Sequence, residues 1–400
     1  MKGTGIFSEM KRLRIPYLLI MAVSLLAGLL TGVRACFLIF YVQLLLLLFC
    51  AVVIVYTIAS FAYLQTVSQE EAVKGDVIRL HLEIHNEKPY PFTMMQVHVR
   101  AVSSRENQVL SFHLAPRASI VFDLPMECSW RGETGVGMSM VELRDMFGLM
   151  HISFPLSLLP YYRPRRLTVF PRADSLSLTM TGTPRRLQTQ GALTQPSDSG
   201  SDLYGLQEYR PGDTDRQIHW KVSAAHSALY AKRYEREARP QCLILLDDFM
   251  PHAGEEGKIA ADLLCCAAAT LSRWALSHQN RVNLRAGSPH IPAVEGEDLS
   301  DYGVIQRWLA LLPFEGVRGM PGQSMDLPLS QEVRDLPVYL LTACPDALTG
   351  VIKEILRWGA RVVCVWAEMS GGPAPSFPDG VLDIALEPGC DIGARLGDQL

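Results

Sequence analysis

Between Glu208 and Lys221 the chain places two aspartates, Asp213 and Asp215, six and four residues before a histidine, His219, with Arg210, Arg216 and Lys221 interspersed. On paper this is an acid/base set, because a histidine titrates near neutrality and a carboxylate can orient it or share its proton. The neighbouring guanidinium groups favour a different use. Arginine beside a carboxylate keeps it ionised and pairs with it bidentately, which suits a fixed polar turn better than proton transfer. Pro211-Gly212-Asp213 supplies that turn, since proline presets one dihedral and glycine admits the next. Tyr209 and Trp220 are expected to give the paired charges an apolar backing. From Glu208 to Arg239 the stretch holds seven basic and five acidic residues, too balanced for a groove that tracks nucleic-acid phosphates.

A second pair of carboxylates, Asp247 and Asp248, follows the apolar run "CLILL". That run has the length of a buried strand, and open α/β sheets bind ligands beyond the carboxyl ends of such strands. Two strand histidines, His81 and His85, share one face and have room for a metal between neighbours. No third ligand is placed by spacing, so a solvated polar face is the plainer reading.

These groups need a scaffold, and the chain has ample material for one. It has 400 residues, 48% of them hydrophobic, and a formal charge of -4, which excludes a dedicated nucleic-acid binder on global electrostatics. Its nine cysteines show no C-x-x-C spacing, so neither a zinc pattern nor a disulfide framework is present; a reducing compartment is favoured for the polar part.

Residues 15–33 are uncharged, Arg34 follows, and residues 35–64 are uncharged again. One membrane span needs about 20 apolar residues, so this reads as a hairpin of two spans within an anchor at 1–66. A cleaved signal peptide is the rival, but no small-residue site leads into a polar chain. Lys2, Lys11, Arg12 and Arg14 precede the first span and hold the N-terminus in the cytoplasm, so that two spans return the large C-terminal portion there. Multi-pass residence in a cell membrane is the expected location.

At 67–160 the periodicity changes to two. Ile78, Leu80, Leu82 and Ile84 fall on one face and Arg79, His81, Glu83 and His85 on the other, the pattern of a half-buried antiparallel strand. The turn residues of "NEKPYP" lead to a plausible return strand, "MMQVHVRAV". Further strands at 119–124, 137–143 and 151–154 predict a small β-sandwich. Residues 161–202 read as a linker, first basic, with arginines at 163, 165, 166, 172, 185 and 186 against Asp174, then polar. Such arginines can rest on anionic headgroups or simply be solvated. Residues 203–240 carry the charged stretch itself. From 241 to 370 strands and helices alternate, which predicts a mostly parallel sheet with helices on both faces. Within it, Ile259, Leu263, Ala267, Leu271 and Trp274 mark one helix at regular spacing. The tail, 371–400, is rich in Pro and Gly and has no assigned element.

"GLQEYRPGDTDRQIHWKVSAAHSALYAKRYERE" resembles the signature of the bacterial domain-of-unknown-function 58 family, matching it at Gly205, Leu206, Tyr209, Pro211, Gly212, Asp213, Arg216, Ile218, Trp220, Ser223 and Ala224. Upstream, "RGETGVGMSMVELRDMFGL" is similar to a second family segment, with Met146 where the family has proline. The resemblance implies a multidomain α+β chain: a transmembrane helical hairpin, a small antiparallel β-sandwich, then a von Willebrand A-like α/β domain. It implies a non-enzymatic partner of a MoxR-type AAA+ ATPase, with a transglutaminase-like membrane protein as a further associate, and no cofactor, catalytic residue or nucleic acid. The signature residues assigned to partner contact or to the fold are Gly205, Tyr209, Arg210, Pro211, Gly212, Asp213, Asp215, Arg216, His219, Trp220 and Lys221. Von Willebrand A domains hold Mg²⁺ through D-x-S-x-S; the corresponding residues here are Asp247-Asp248-Phe249-Met250-Pro251, with Phe and Pro at the serine positions. A degenerate metal position kept for protein contact is therefore expected. The alternative function is a metal-assisted or acid/base hydrolase using Asp213, Asp215, His219 or the Asp247/Asp248 pair.

Overall fold

A computed structural model describes residues 15–100, 108–158, 162–176, 195–197, 202–209, 218–226, 228–236, 241–250, 254–314, 336–369 and 375–399. The chain is mixed α/β and divides into two compact units, Met1–Phe170 and Pro171–Leu400.

The first unit begins with two apolar helices, α1 (Ile15–Thr31) and α2 (Arg34–Ser60), turned back on each other. Three contacts set their register. Tyr17 donates its hydroxyl to the Gln43 carbonyl at 2.7 Å, Ser24 donates to Gln43 Oε1 at 3.1 Å, and Gly28 leaves room for the Phe37 ring. Small residues and interhelical polar contacts are how apolar helices associate where no hydrophobic gain separates them from their surroundings. Among the described residues two helices are long and apolar enough to cross a membrane, α2 and a helix of the second unit, Glu255–Ser277. They differ in burial: α2 is 11% buried and the other 83%, which marks the latter as the core helix of a globular unit.

α2 stops at Ser60, short of the uncharged run's end at Leu64, because the chain there turns extended and becomes β1 (Ala62–Val67). β1 pairs with β3 (Val77–His85), and β3 with β6 (Ser119–Glu127), all antiparallel. The facing sheet runs β2 (Glu71–Val73), β9 (Arg165–Phe170), β7 (Gly132–Arg144), β4 (Phe92–Arg100), β5 (Gln108–Leu114), with β8 (His151–Pro155) on the edge of β7. One core fills the space between the sheets. Ile78, Leu80, Leu82 and Ile84 are all buried in it, as the alternation required, opposite Met95, Val97 and Val99 of β4. Two details depart from expectation. β4 does not return along β3 but crosses to the other sheet, because both strands bring an apolar face that must be covered from opposite sides. Arg165–Phe170, read as the start of a linker, is β9, and its Leu167 and Val169 are fully buried in the sandwich core.

The second unit holds a three-stranded sheet of order β10 (Gln195–Ser197), β12 (Tyr230–Arg236), β11 (Asp202–Glu208), with the short helix α3 (Trp220–His226) between β11 and β12. Its larger sheet contains β13 (Gln241–Leu246), β14 (Arg281–Ala286), β15 (Val294–Gly296), β16 (Pro337–Thr342), β17 (Arg361–Ala367) and β18 (Leu382–Leu386). In space the order is β15-β14-β13-β16-β17-β18, with only β15 antiparallel. α4 (Glu255–Ser277), α5 (Tyr302–Leu311) and α7 (Ile392–Gln399) share the core on one face, and α6 (Thr349–Arg357) packs on the other. The sheet is thus mostly parallel and covered on both sides.

The single buried stripe expected for α4 is instead burial on nearly all sides from Ala260 to Ser272. α5 and α7 cover the flank that would otherwise face solvent, so that Cys265, Cys266 and three successive alanines are buried. β18 and α7 lie in the tail for which the sequence offered no element. Ile384, Leu386 and Leu396 are nevertheless fully buried, so the tail closes the sheet.

Candidate functional site

The larger sheet reverses its winding between β13 and β16: β14 was added on one side of β13, and β16, β17 and β18 on the other. At such a switch point the loops leaving two adjacent strands part to opposite faces and open a crevice at their carboxyl ends. Asp247 and Asp248 leave β13 at this place, and Thr342 ends β16 beside them.

Asp247 is buried and held from three directions. Its N–H donates to the Leu341 carbonyl at 2.8 Å, Thr342 donates its hydroxyl to Oδ2 at 2.7 Å, and the Phe249 N–H donates to Oδ1 at 3.1 Å. Thr342 Oγ1 in turn accepts from the Cys344 N–H at 2.9 Å, so its one proton is committed to the carboxylate. Burial pushes the Asp247 carboxyl above its ordinary value, the Thr342 and Phe249 hydrogen bonds oppose that rise, and the Asp248 charge adds to it.

Asp248 is equally buried, but its Oδ2 has no hydrogen-bond partner among the described residues. Its Oδ1 lies where the end of β14 passes: a methyl group placed on Gly287 would come within 2.8 Å of it. A side chain at 287 would therefore require the Asp248 carboxylate to shift. Cys344 stands at the rim with its thiol pushed up to about 11, by burial first and then by the Asp247 and Asp346 carboxylates. A thiol so protonated at neutral pH is a poor nucleophile.

The donor set does not fit the Mg²⁺ of a D-x-S-x-S site. Both Asp247 oxygens already accept protein hydrogen bonds, Phe249 and Pro251 bring no hydroxyl, and the one nearby hydroxyl, Thr342, is a donor to Asp247. A hard cation needs several oxygen ligands free to face it. No group of three or more His, Cys, Asp or Glu side chains among the described residues is placed to hold a metal.

The charged signature is described in part. Gly205 lies in β11 opposite Arg233, beside a register shift between Leu203 and Gly205. Tyr209 is half-buried and its N–H donates to the Leu229 carbonyl at 2.8 Å. Arg210, Pro211, Gly212, Asp213, Asp215 and Arg216 lie outside the described residues, and with them the proposed ion-pair network. His219 opens α3: its carbonyl accepts from Val222 and Ser223, its Nδ1 accepts from the Val222 N–H at 3.3 Å, and its own N–H donates to the Tyr230 carbonyl. Ile218 bridges to Ala231, both buried, and Ser223 caps the Tyr230 N–H at 2.9 Å. The segment is therefore tied to β12 through its backbone.

The charges that Trp220 was expected to back lie outside the described residues. Trp220 projects from the first turn of α3 with 64% of its surface exposed, and Lys221 beside it is exposed too. Ser223, one turn further along the helix, is buried. His81 and His85 do not meet over a metal; His81 Nδ1 lies 2.7 Å from Asp123 and His85 Nε2 3.2 Å from Glu83.

Sequence reasoning named Asp247 and Asp248 but not Thr342, Gly287 or Cys344. The signal was present in the strand-ending "LLTAC" and "LRAG" segments; what was missing was knowledge that β14 and β16 flank β13.

Comparison with known proteins bears on one segment. Residues 206–301 match the family model described as "Protein of unknown function DUF58". No curated protein matches. Solved structures that match include a β-glucosidase, EmGH1, of Erythrobacter marinus, at 13% identity over 28% of this chain and 15% of that one, TM-score 0.17. The sporulation control protein Spo0M of Bacillus subtilis matches at 12% identity over 28% of this chain and 49% of that one, TM-score 0.17. Cwp6 of Clostridium difficile matches at 9% over 78% and 50%, TM-score 0.18. The chain spans half or less of each, and likeness at this level carries no argument about fold or function.

Proposed function

We propose that this chain, which belongs to the DUF58 family through residues 206–301, is a membrane-anchored, non-enzymatic adaptor that presents the signature segment to a MoxR-type AAA+ ATPase. The observation that carries the reading is Trp220. An indole left 64% exposed on a helix whose neighbours Ile218 and Ser223 are buried contributes little to the fold, whereas aromatic anchors of this kind dominate the energetics of protein interfaces. Lys221 and the carboxylates of the signature supply the charge that would choose the partner.

The rest of the architecture is consistent with that role. Counted along the chain, the six strands of the larger sheet stand in the order 3-2-1-4-5-6, which supports a von Willebrand A-like domain. The crevice at Asp247 and Asp248 has lost its metal-binding hydroxyls, which supports a face kept for contact. α1 and α2 form the anchor, and the basic residues ahead of α1 hold both the N-terminus and the large C-terminal portion in the cytoplasm. A transglutaminase-like membrane protein is the further associate in this reading.

The test is capture of the organism's own purified MoxR-type ATPase by the full chain in detergent, with and without ATP, beside a Trp220→Ala variant of unchanged circular dichroism. Loss of an interface anchor costs about 2 kcal/mol, so binding should weaken about thirtyfold. Absence of binding, or equal binding by the variant, sinks the adaptor reading.

One observation favours a second reading, acid/base hydrolysis: the buried Asp247/Asp248 pair, one carboxyl raised, sits where α/β sheets bind ligands. Turnover of an ester or amide substrate by the wild type, lost in Asp248→Asn, would establish it.

A further inference from the structure

Among the described residues, the first unit carries an exposed apolar surface beside the apolar helix pair. The turn joining β7 to β8, residues 145–150, leaves Met146 68% and Phe147 55% exposed. Tyr90, in the connection before β4, is 61% exposed, and Met94 50%. All four lie at one end of the sandwich. Met95 pairs with Leu143, which sets Met94 level with Arg144, and the Thr93 hydroxyl donates to the Arg144 carbonyl.

This end of the sandwich is held against α2. The Asp145 carboxylate is within hydrogen-bonding reach of the Cys50 thiol, Tyr90 meets Tyr56 edge-on with ring centroids 5.9 Å apart, and Ile54 is part of the sandwich core. Cys50, Ile54, Thr57 and Phe61 form the buried stripe of the helix's last turns and the residue after them. On its other side at the same level Val52 and Val55 are exposed.

A helix rises 1.5 Å per residue and the hydrocarbon layer is about 30 Å thick, so from Arg34 the layer extends to roughly Ile54. Cys50, about 24 Å along, then falls just inside its inner boundary. The turn that touches Cys50 must lie at that boundary as well. Lys88, Arg117 and Arg144 lie at the same end, with Glu87 and Asp145 among the acids there; Arg117 donates its N–H to the Lys88 carbonyl at 3.1 Å. Apolar tips ringed by cations, with tyrosines between, are the composition of a surface seated in a lipid interface.

We infer that the sandwich is seated in the inner membrane interface, with Met146 and Phe147 entering the acyl boundary. This rests on the reading of α1 and α2 as a membrane anchor. The sandwich is then a second, peripheral contact with the bilayer and not a freely tethered domain.

The experiment uses the full chain reconstituted in vesicles of phosphatidylcholine and phosphatidylglycerol whose acyl chains carry bromine near the headgroup. Phe147, Val121 of β6 and Val42 of α2 are replaced in turn by the fluorescent amino acid acridonylalanine. Bromine should quench the probe at 147 several-fold more than at 121, and should quench the probe at 42. Quenching at 147 no greater than at 121, with 42 quenched, overturns the seating while leaving the anchor intact. No quenching at 42 removes the anchor itself and the seating with it.

Discussion

Asp145 and Asp248 are both buried carboxylates at the ends of strands, and they are treated in opposite ways. Asp145 has every oxygen occupied: Oδ1 accepts from the Met150 N–H at 2.8 Å and Oδ2 from the Phe147 N–H at 3.1 Å, which closes the six-residue turn on itself. Asp248 has one oxygen buried without a partner among the described residues and the other pressed towards Gly287. The first carboxylate is worth its burial to the fold. The second costs stability where it stands, and buried polar groups left short of partners occur chiefly where a site is kept for something other than stability.

Four measurements break or sharpen that contrast. The largest effect is expected from Asp145→Ala, which removes the acceptor of two part-buried N–H groups and the closure of the turn, and should destabilise the first unit by about 3 kcal/mol, seen as faster hydrogen exchange across β7 and β8. Next, Gly287→Ala forces a methyl against Asp248 Oδ1 and should cost about 2 kcal/mol; adding Asp248→Ala should recover most of it, a coupling that thermal unfolding of the double mutant reads directly. Thr342→Val removes the donor to Asp247 Oδ2 and should cost about 1.5 kcal/mol in denaturant unfolding of the second unit. Smallest, and opposite in sign to Asp145→Ala, Asp248→Ser should leave the second unit as stable as before or stabilise it by about 0.5 kcal/mol. A loss as large as that at Asp145 would erase the distinction.

The pH dependence follows from the raised Asp247 carboxyl. The folded chain keeps this proton at pH values where the unfolded chain, with an ordinary carboxyl near 3.8, has released it. Fewer protons on the unfolded state means that stability falls as pH rises from that ordinary value through the raised one. Asp247→Asn should flatten this slope in unfolding midpoints measured across the acid range.

What the sequence made legible was whatever a single element decides by itself. The alternation in 77–85 translated directly into a buried face at Ile78, Leu80, Leu82 and Ile84, and the unbroken apolar run of 242–246 into a strand buried on both faces. What it left dark depended on neighbours. The all-round burial of α4 required α5 and α7 on its outer side, and α7 sits in a tail whose glycines and prolines conceal the short apolar "LDIAL". The site was half legible for the same reason. Asp247 and Asp248 announce themselves at the end of a strand, whereas Thr342 and Gly287 become partners only once the spatial order of the strands is known. The exposure of Trp220 was likewise not legible, since a residue's burial depends on what packs beside it.

The junction between α2 and β1 is one residue long, and that residue, Phe61, is buried in the sandwich core. Gln65, four residues on, donates Nε2 to the Arg163 carbonyl and accepts the Met138 N–H, clamping β1 to two distant parts of the unit. Such a joint has no swivel. Any roll or lean of the helix pair is delivered to the sandwich with little slack, as a shaft turns the wheel keyed to it.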